Sequence, residues 1–282
     1  MSVHLDRFTH EQRIEIANRL CKLILEEYRE QVLAVCVYGS TAKKLDRPYS
    51  DLEMFVVVRD GNEIPMKKYL FQGLIVGIEY PLESNLLKAA SKMGWSLHWE
   101  ADGYRNRIVL FERDSWLSRL DQAVAVAEKA DNTEAVQRSA MNLTEEMAVF
   151  QNTLLTDDPL VLKSRGVSLA QAAGDLVLLL NRRFVITTNR FWKQVFECTT
   201  KPVDLQELVE VLIGVRLSSK EQLRRCAERL YSKMMEIVVS SGVSLEARDL
   251  IVWKGTESDR GSRRLGDSLE DPIPHPKSRM LA

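Results

Sequence analysis

The sequence predicts an α+β protein. A mixed sheet with helices is expected in residues 1–114, followed by an all-α helical-bundle domain in residues 115–252. Short runs rich in β-branched residues, typical of strands, are found before residue 114, whereas the later apolar residues form longer helical segments. From Trp253 the composition shifts to Gly, Ser, Arg, Asp and Pro without apolar periodicity, so residues 253–282 are predicted to be a disordered tail.

Composition narrows the functional classes. A hydrophobic fraction of 45% and a charged fraction of 28% are typical of a soluble globular protein. The net charge of −1, without a strongly basic tract, does not favour a nucleic-acid partner. No apolar run is long enough for a bilayer, and the four cysteines show no metal-site spacing. We therefore expect a cytoplasmic protein with reduced thiols and no membrane partner.

The first half is predicted to alternate helices and strands. The first helix covers 9–29, and Thr9 with Gln12 forms a capping box at its start. We interpret 59–62 as a turn that makes the strand at 52–58 one arm of a β-hairpin. The other predicted elements are strands at 32–38, 74–80 and 108–112, with helices at 41–45 and 84–93.

The second half is predicted to be helical. Asp157-Asp158-Pro159 breaks the helical pattern. The predicted helices are 115–129, 133–155, 167–183, 190–197, 205–215 and 219–240.

The motif on which a functional prediction depends joins the first two strands. Gly39 lets the backbone approach a phosphate, and Ser40 offers a hydroxyl and an amide at a helix start. Asp51 and Glu53 are two apart on a strand, so their carboxylates share a face and suit Mg²⁺ together with triphosphate oxygens. The alternative is an ordinary solvated strand face.

Three further acids are candidates. Glu79 lies in an apolar strand, where a carboxylate is costly to bury unless it is paired or bound to metal. Alternatively it lies where that strand meets solvent. Glu100 and Asp102 belong to a segment rich in aromatic and acidic residues, which either packs in the core or forms a rim that attracts a polycationic ligand.

These motifs resemble the signature of the polymerase-beta-like nucleotidyltransferase superfamily. Residues 37–40 and 48–54 resemble more closely the kanamycin nucleotidyltransferase family, the aminoglycoside 4′-O-adenylyltransferases. Weaker similarity continues through the helical half, at 173–174 and 183–188.

The resemblance implies a role for each matching residue. It implies that Asp51 and Glu53 bind Mg²⁺, while Glu79 completes the metal site or holds a cationic substrate. It implies that Glu146 is the general base; other helix registers put Glu145 or Val149 there. The implied nucleotide-binding residues are Gly39, Ser40, Lys43, Ser50 and Thr188 or Thr187.

The implied activity is transfer of AMP from ATP, or of another nucleoside monophosphate, to a hydroxyl of an aminoglycoside such as kanamycin or tobramycin. The 4′-hydroxyl is the expected acceptor, Mg²⁺ the cofactor and a homodimer the expected assembly. The alternatives are adenylylation of a lincosamide or of a protein hydroxyl, and a non-catalytic nucleotide-binding or antitoxin-like module.

Overall fold

A computed structural model describes residues 4–156 and 158–245 of the chain. The predicted tail at 253–282 lies outside the described residues.

The described residues contain a five-stranded mixed sheet with the order β3-β4-β2-β1-β5. β2 and β4 are parallel, and the other neighbouring strands are antiparallel. The mixed sheet predicted for the first half is confirmed. Its strands are β1 at Val32–Tyr38, β2 at Leu52–Val58, β3 at Lys67–Phe71, β4 at Leu74–Glu79 and β5 at Ile108–Glu112.

The predicted hairpin arm is wrong. After β2 the chain turns and continues to β3, which pairs with β4 and not with β2. The hairpin is therefore β3–β4, with Gln72 and Gly73 at positive φ angles of 48° and 83° in its turn. The sequence did not predict β3, because it lacks the apolar alternation of a half-buried strand. It is an edge strand that is exposed along most of its length.

Four helices accompany this sheet in the described residues. They are α1 at His10–Tyr28, α2 at Gly39–Ala42, α3 at Glu83–Ser91 and α4 at Trp95–Arg105. The capping box of Thr9 and Gln12 is present at the start of α1. α2 begins at Gly39 and not at Thr41, and α4 is a helix that the sequence did not predict.

The second half is helical in its described part. Asp158 caps α7 by accepting hydrogen bonds from the amides of Leu160 and Val161, and Pro159 occupies the first turn. The prediction that this helix begins at Val167 was wrong, because the Asp-Pro break also starts the next helix. The helices are α5 at Leu117–Lys129, α6 at Thr133–Leu154, α7 at Pro159–Leu180, α8 at Phe191–Phe196, α9 at Leu205–Leu212 and α10 at Lys220–Ser240.

Apolar side chains are buried on both faces of the sheet. One cluster joins α1 to the sheet through residues such as Ala17 and Val35. The other cluster contains Phe55 of β2 together with Leu120 and Leu176 of the helical half. Packing therefore continues past residue 114, and the division into two domains there stays a prediction.

None of the helices within 4–156 and 158–245 combines the length and the apolar character that a membrane span requires. The four cysteines are free thiols, and burial raises the pKa of Cys36 to about 12. A thiol with this pKa is unreactive at neutral pH.

Candidate active site

Asp51 and Glu53 lie at the start of β2. Glu53 pairs with Tyr38 of β1 on one side and with Gly77 of β4 on the other. Asp51 directly precedes the strand, and both acids are half-buried. Because the two residues are two positions apart, strand alternation predicts that their carboxylates lie on one face of the sheet.

Glu79 shares that face. It lies opposite Phe55 in the parallel register of β4 and β2, two residues beyond the pair formed by Glu53 and Gly77. The Tyr38 hydroxyl donates a hydrogen bond to Glu79 Oε1 at 3.0 Å. The carboxylate in the apolar strand is thus half-buried and has a hydrogen-bond donor.

Gly39 brings the start of α2 against Glu53. Its φ angle is +71°, and a Cβ atom placed on it would lie 2.0 Å from Glu53 Oε2. Only glycine fits here, both for its backbone angle and for the space that the carboxylate occupies. Ser40 follows in α2 and is half-buried. The predicted phosphate-binding turn and one predicted metal ligand are therefore adjacent.

Lys43 links the turn to two distant segments. Its Nζ contacts Asp102 Oδ2 of α4 and the carbonyl oxygen of Ile186. Thr187 and Thr188 directly follow Ile186, so the structure brings this part of the helical half to α2.

Asp102 is buried and does not form part of an exposed rim. Its residue exposure is 7%, and besides contacting Lys43 it accepts a hydrogen bond from Asn106 Nδ2 at 2.8 Å. Asp102 therefore neutralises Lys43 in this structure.

Glu100 and Tyr104 lie on α4 beside the aromatic residues of the sheet. The Tyr104 hydroxyl donates to Glu100 Oε2 at 2.7 Å, and the ring packs edge-on to Phe55 with centroids 6.5 Å apart. Burial first, and then the charges of Glu100 and Glu79, raise the pKa of Tyr104. The Tyr104 hydroxyl therefore keeps its proton at neutral pH and donates a hydrogen bond to Glu100.

Ser50 completes a tight turn before Asp51. Its hydroxyl accepts from the Arg47 amide at 2.9 Å, and its amide donates to the Arg47 carbonyl at 2.9 Å.

Arg13 of α1 also binds this turn, and the sequence analysis did not predict this contact. Arg13 is four residues before Ala17 and eight before Cys21, a helical spacing that would have predicted its place on the buried face of α1.

Glu145 and Glu146 lie on α6 in different surroundings. Glu145 is exposed, whereas Glu146 is half-buried and its Oε2 atom is buried without a hydrogen-bond partner. Burial raises the pKa of Glu146; the charge of Arg165 opposes this shift and that of Glu145 adds to it. These charged neighbours belong to the helical half.

The acids of the sheet do not form a complete protein metal site. Within the described part of the chain, no group of three histidine, cysteine, aspartate or glutamate side chains is arranged to hold a metal ion. Asp51 and Glu53 nevertheless offer two oxygen donors on one face, next to the Gly39 turn. This donor set fits Mg²⁺, which takes its remaining ligands from substrate phosphates and water.

Comparison with known proteins places the chain near nucleotidyltransferases. Residues 114–244 match the family model of the KNTase C-terminal domain. Two proteins called aminoglycoside nucleotidyltransferase (4′), from Staphylococcus aureus and a Bacillus species, are each 22% identical to this chain over 229 residues. Each alignment covers 81% of this chain and 90% of the relative.

A solved structure supports the fold. The crystal structure of a nucleotidyltransferase-like protein from Exiguobacterium sibiricum has a TM-score of 0.50 and 16% sequence identity, covering 79% of this chain and 75% of that protein. The shared fold thus extends over both the sheet and the helices. The support for a transferase comes from the matches to the KNTase C-terminal domain and to the aminoglycoside nucleotidyltransferases (4′).

Proposed function

We propose that this protein transfers AMP from Mg²⁺-ATP to a hydroxyl of an aminoglycoside, with the 4′-hydroxyl as the acceptor. The observation that carries the proposal is the contact between the Gly39 turn and Glu53. A turn suited to phosphate lies against one of two carboxylates that share a face. The 22% identity to aminoglycoside nucleotidyltransferases (4′) supports the choice of acceptor.

Asp51 and Glu53 hold Mg²⁺ in this proposal. When bound, the ion supplies neutralisation of the triphosphate charge and of the departing pyrophosphate. The two carboxylates would hold the ion at the start of β2, beside the Gly39 turn.

The nucleotide lies along α2. The backbone of Gly39 and Ser40 binds its phosphates, and Ser50 with Thr187 or Thr188 binds the remainder. Lys43 exchanges its contact with Asp102 for a phosphate oxygen. We therefore assign Asp102 to the nucleotide side of the site and not to the acceptor.

Glu146 is the general base. Because burial raises its pKa, its carboxylate is a stronger base than an ordinary glutamate, and it takes the proton of the acceptor hydroxyl. That oxygen attacks the α-phosphorus in line, the bond from the α-phosphorus to the bridging oxygen breaks, and pyrophosphate leaves. General-base catalysis contributes about 10²–10⁴-fold.

Glu79 and Glu100 bind the ammonium groups of the acceptor. Tyr38 and Tyr104 already donate hydrogen bonds to these carboxylates and orient them. The aromatic rings beside them add cation–π attraction for an amine. An acceptor with several amines suits this group better than a lincosamide, which carries one.

The test is release of pyrophosphate from ATP with Mg²⁺ and a panel of kanamycin, tobramycin, streptomycin and lincomycin. We expect release with kanamycin and tobramycin. Release with lincomycin alone would replace the aminoglycoside by a lincosamide. ATP binding without transfer to any acceptor, a protein hydroxyl included, would favour a non-catalytic module.

We further propose a homodimer in which the helical half of one subunit contributes to the site of the other. Sedimentation at micromolar concentration tests this assembly. A fully active monomer would contradict it.

A further inference from the structure

Arg13 is a buried arginine of α1 with a side-chain exposure of 1%. Its Nη2 donates to the carbonyls of Arg47 and Pro48 at 2.7 and 2.9 Å, and its Nε donates to the Ser50 carbonyl at 3.0 Å. Its Nη1 donates to Asp46 Oδ2 at 3.1 Å. One side chain thus binds four residues of the segment 46–50, which we call the Arg13 loop.

A buried counter-ion and several backbone carbonyls surround the guanidinium of Arg13. Asp46 is 3% exposed in its side chain and balances the charge of Arg13, and its other oxygen lies 3.0 Å from His10 Nδ1. The Phe8 amide also donates to the Pro48 carbonyl at 2.9 Å. A buried charge with its counter-ion and a full set of acceptors holds its neighbours in one arrangement.

The Arg13 loop leads directly into Asp51. Glu53 is held by the strand ladder opposite Tyr38, whereas Asp51 precedes the first residue of β2. The Ser50 carbonyl and the Asp51 amide belong to one planar peptide group. A hydrogen bond from Arg13 to that carbonyl therefore also orients the backbone of Asp51.

We infer that Arg13 is a positioning residue for Asp51, holding the Arg13 loop so that this carboxylate faces the same space as Glu53. The inference rests on the proposed function, in which both acids bind Mg²⁺. Loss of the guanidinium leaves Glu53 in the ladder but frees the backbone before Asp51. Removing a group that orients a metal ligand typically costs 10–100-fold in metal affinity or activity.

The experiment compares the wild type with Arg13→Lys and Arg13→Gln. Lysine keeps the charge beside Asp46 but lacks the fork that reaches three carbonyls. Binding of Mn²⁺ with a non-hydrolysable ATP analogue is followed by electron paramagnetic resonance, and kcat and the KM for ATP are measured separately. In both variants we expect the Mn²⁺ dissociation constant to rise about tenfold and kcat to fall about 10–100-fold, with the KM for ATP within about threefold.

Arg182→Gln is the matched control. Arg182 donates to the carbonyls of Glu128 and Ala130 at 3.2 and 2.9 Å and to Asn132 Oδ1 at 3.1 Å. It therefore binds the connection between α5 and α6, as Arg13 binds the loop before Asp51. We expect this variant to keep Mn²⁺ affinity and kcat. Equal losses in Arg182→Gln, or unchanged Mn²⁺ affinity in a folded Arg13 variant, would overturn the inference. If Arg13→Gln does not fold, Arg13→Lys decides.

The two readouts separate this inference from the proposed function. A wild type that binds Mn²⁺ with nucleotide but transfers to no acceptor refutes the function, while the metal titration still tests Arg13. An active wild type with unaltered Arg13 variants refutes the inference alone. A wild type that binds no Mn²⁺ overturns the metal assignment and the inference together.

Discussion

Two pairs of acidic residues differ in the direction of their side chains, because one pair lies at a strand and the other on a helix. Asp51 and Glu53 are two residues apart at a strand, so both carboxylates lie on one face. Glu145 and Glu146 are adjacent on α6, where successive side chains point in directions about 100° apart. One is exposed and the other half-buried, with a buried oxygen that has no hydrogen-bond partner.

The two arrangements suit different chemistry. Carboxylates on a common face can share one cation, which requires both to be ionised and close. Divergent carboxylates act singly, and the desolvated one has the raised pKa that suits a base. We therefore expect both members of the strand pair to be needed and only one member of the helix pair.

Asp51→Asn is expected to have the largest effect. An amide cannot neutralise the charge of Mg²⁺ and triphosphate, an interaction of several kcal/mol, so kcat should fall by about 10³-fold or more in a pyrophosphate-release assay. Asp60→Asn is the control, since Asp60 accepts hydrogen bonds from Ser84 and lies in the turn after β2. Activity of Asp51→Asn comparable to that of the control would refute the metal role.

The helix pair is tested by Glu146→Gln against Glu145→Gln. We expect Glu146→Gln to lower kcat by about 10²–10⁴-fold and to leave ATP binding unchanged, while Glu145→Gln stays near the wild type. The reverse pattern would show that Glu145 is the base. If neither variant loses activity, the base lies elsewhere in the protein.

The pH profile of kcat tests the role of Glu146 independently. A base works in its deprotonated form, so activity falls as the pH drops through its pKa. Because burial raises the pKa of Glu146, the acidic limb should lie above the ordinary glutamate value of about 4.3. The residual activity of Glu146→Gln should lack this limb.

Gly39→Ala tests the packing of Glu53 against the turn. A Cβ atom at this position would lie 2.0 Å from Glu53 Oε2, so the carboxylate must move. A displacement of about 1 Å at a site can cost about 10²-fold in rate. Gly61→Ala is a matched control, because Gly61 has a φ angle of +83° but nothing within 4 Å of an added Cβ.

Both glycine variants carry the strain of a positive φ angle, so a similar loss of stability is expected in each. Only Gly39→Ala should lose activity once folding has been confirmed by circular dichroism. Equal activity in the two variants would show that the contact between Gly39 and Glu53 has no part in catalysis.

Thermal unfolding is expected to show the smallest effect. Burial raises the pKa of Glu146 in the folded protein, so protonation of this carboxyl group stabilises the folded state relative to the unfolded state. This contribution is fully present below the unfolded pKa and is lost as the pH rises through the folded pKa. At neutral pH, Glu146→Gln should therefore raise Tm slightly, by about 1–3 °C, and the difference should vanish in acid. A lower Tm at neutral pH would contradict this account.

Local patterns predicted the strands that carry the candidate site. β1 and β2 were predicted with the bounds that the structure shows, because both strands are buried apolar runs. The shared face of Asp51 and Glu53 follows from strand alternation alone. The capping box of α1 was likewise visible, since it involves residues three positions apart.

Tertiary contacts decided the rest. The exposed strand β3 exists because β4 pairs with it, and α4 packs so closely on the sheet that a Cβ atom on Gly103 would lie 3.0 Å from the Tyr38 ring. Neither β3 nor α4 has a local pattern strong enough to predict it. Their form depends on partners that are distant in the chain.

The same distinction applies to the charged residues. From the sequence, Lys43 was predicted beside the turn, whereas no role was predicted for Arg13. The pairing of Asp102 with Lys43 and the contact of Arg13 with the loop before Asp51 join residues that are distant in the chain, so they became visible in the folded protein alone. A buried charge is stable only beside a counter-ion or hydrogen-bond acceptors, and the tertiary fold determines which distant groups lie close enough to serve.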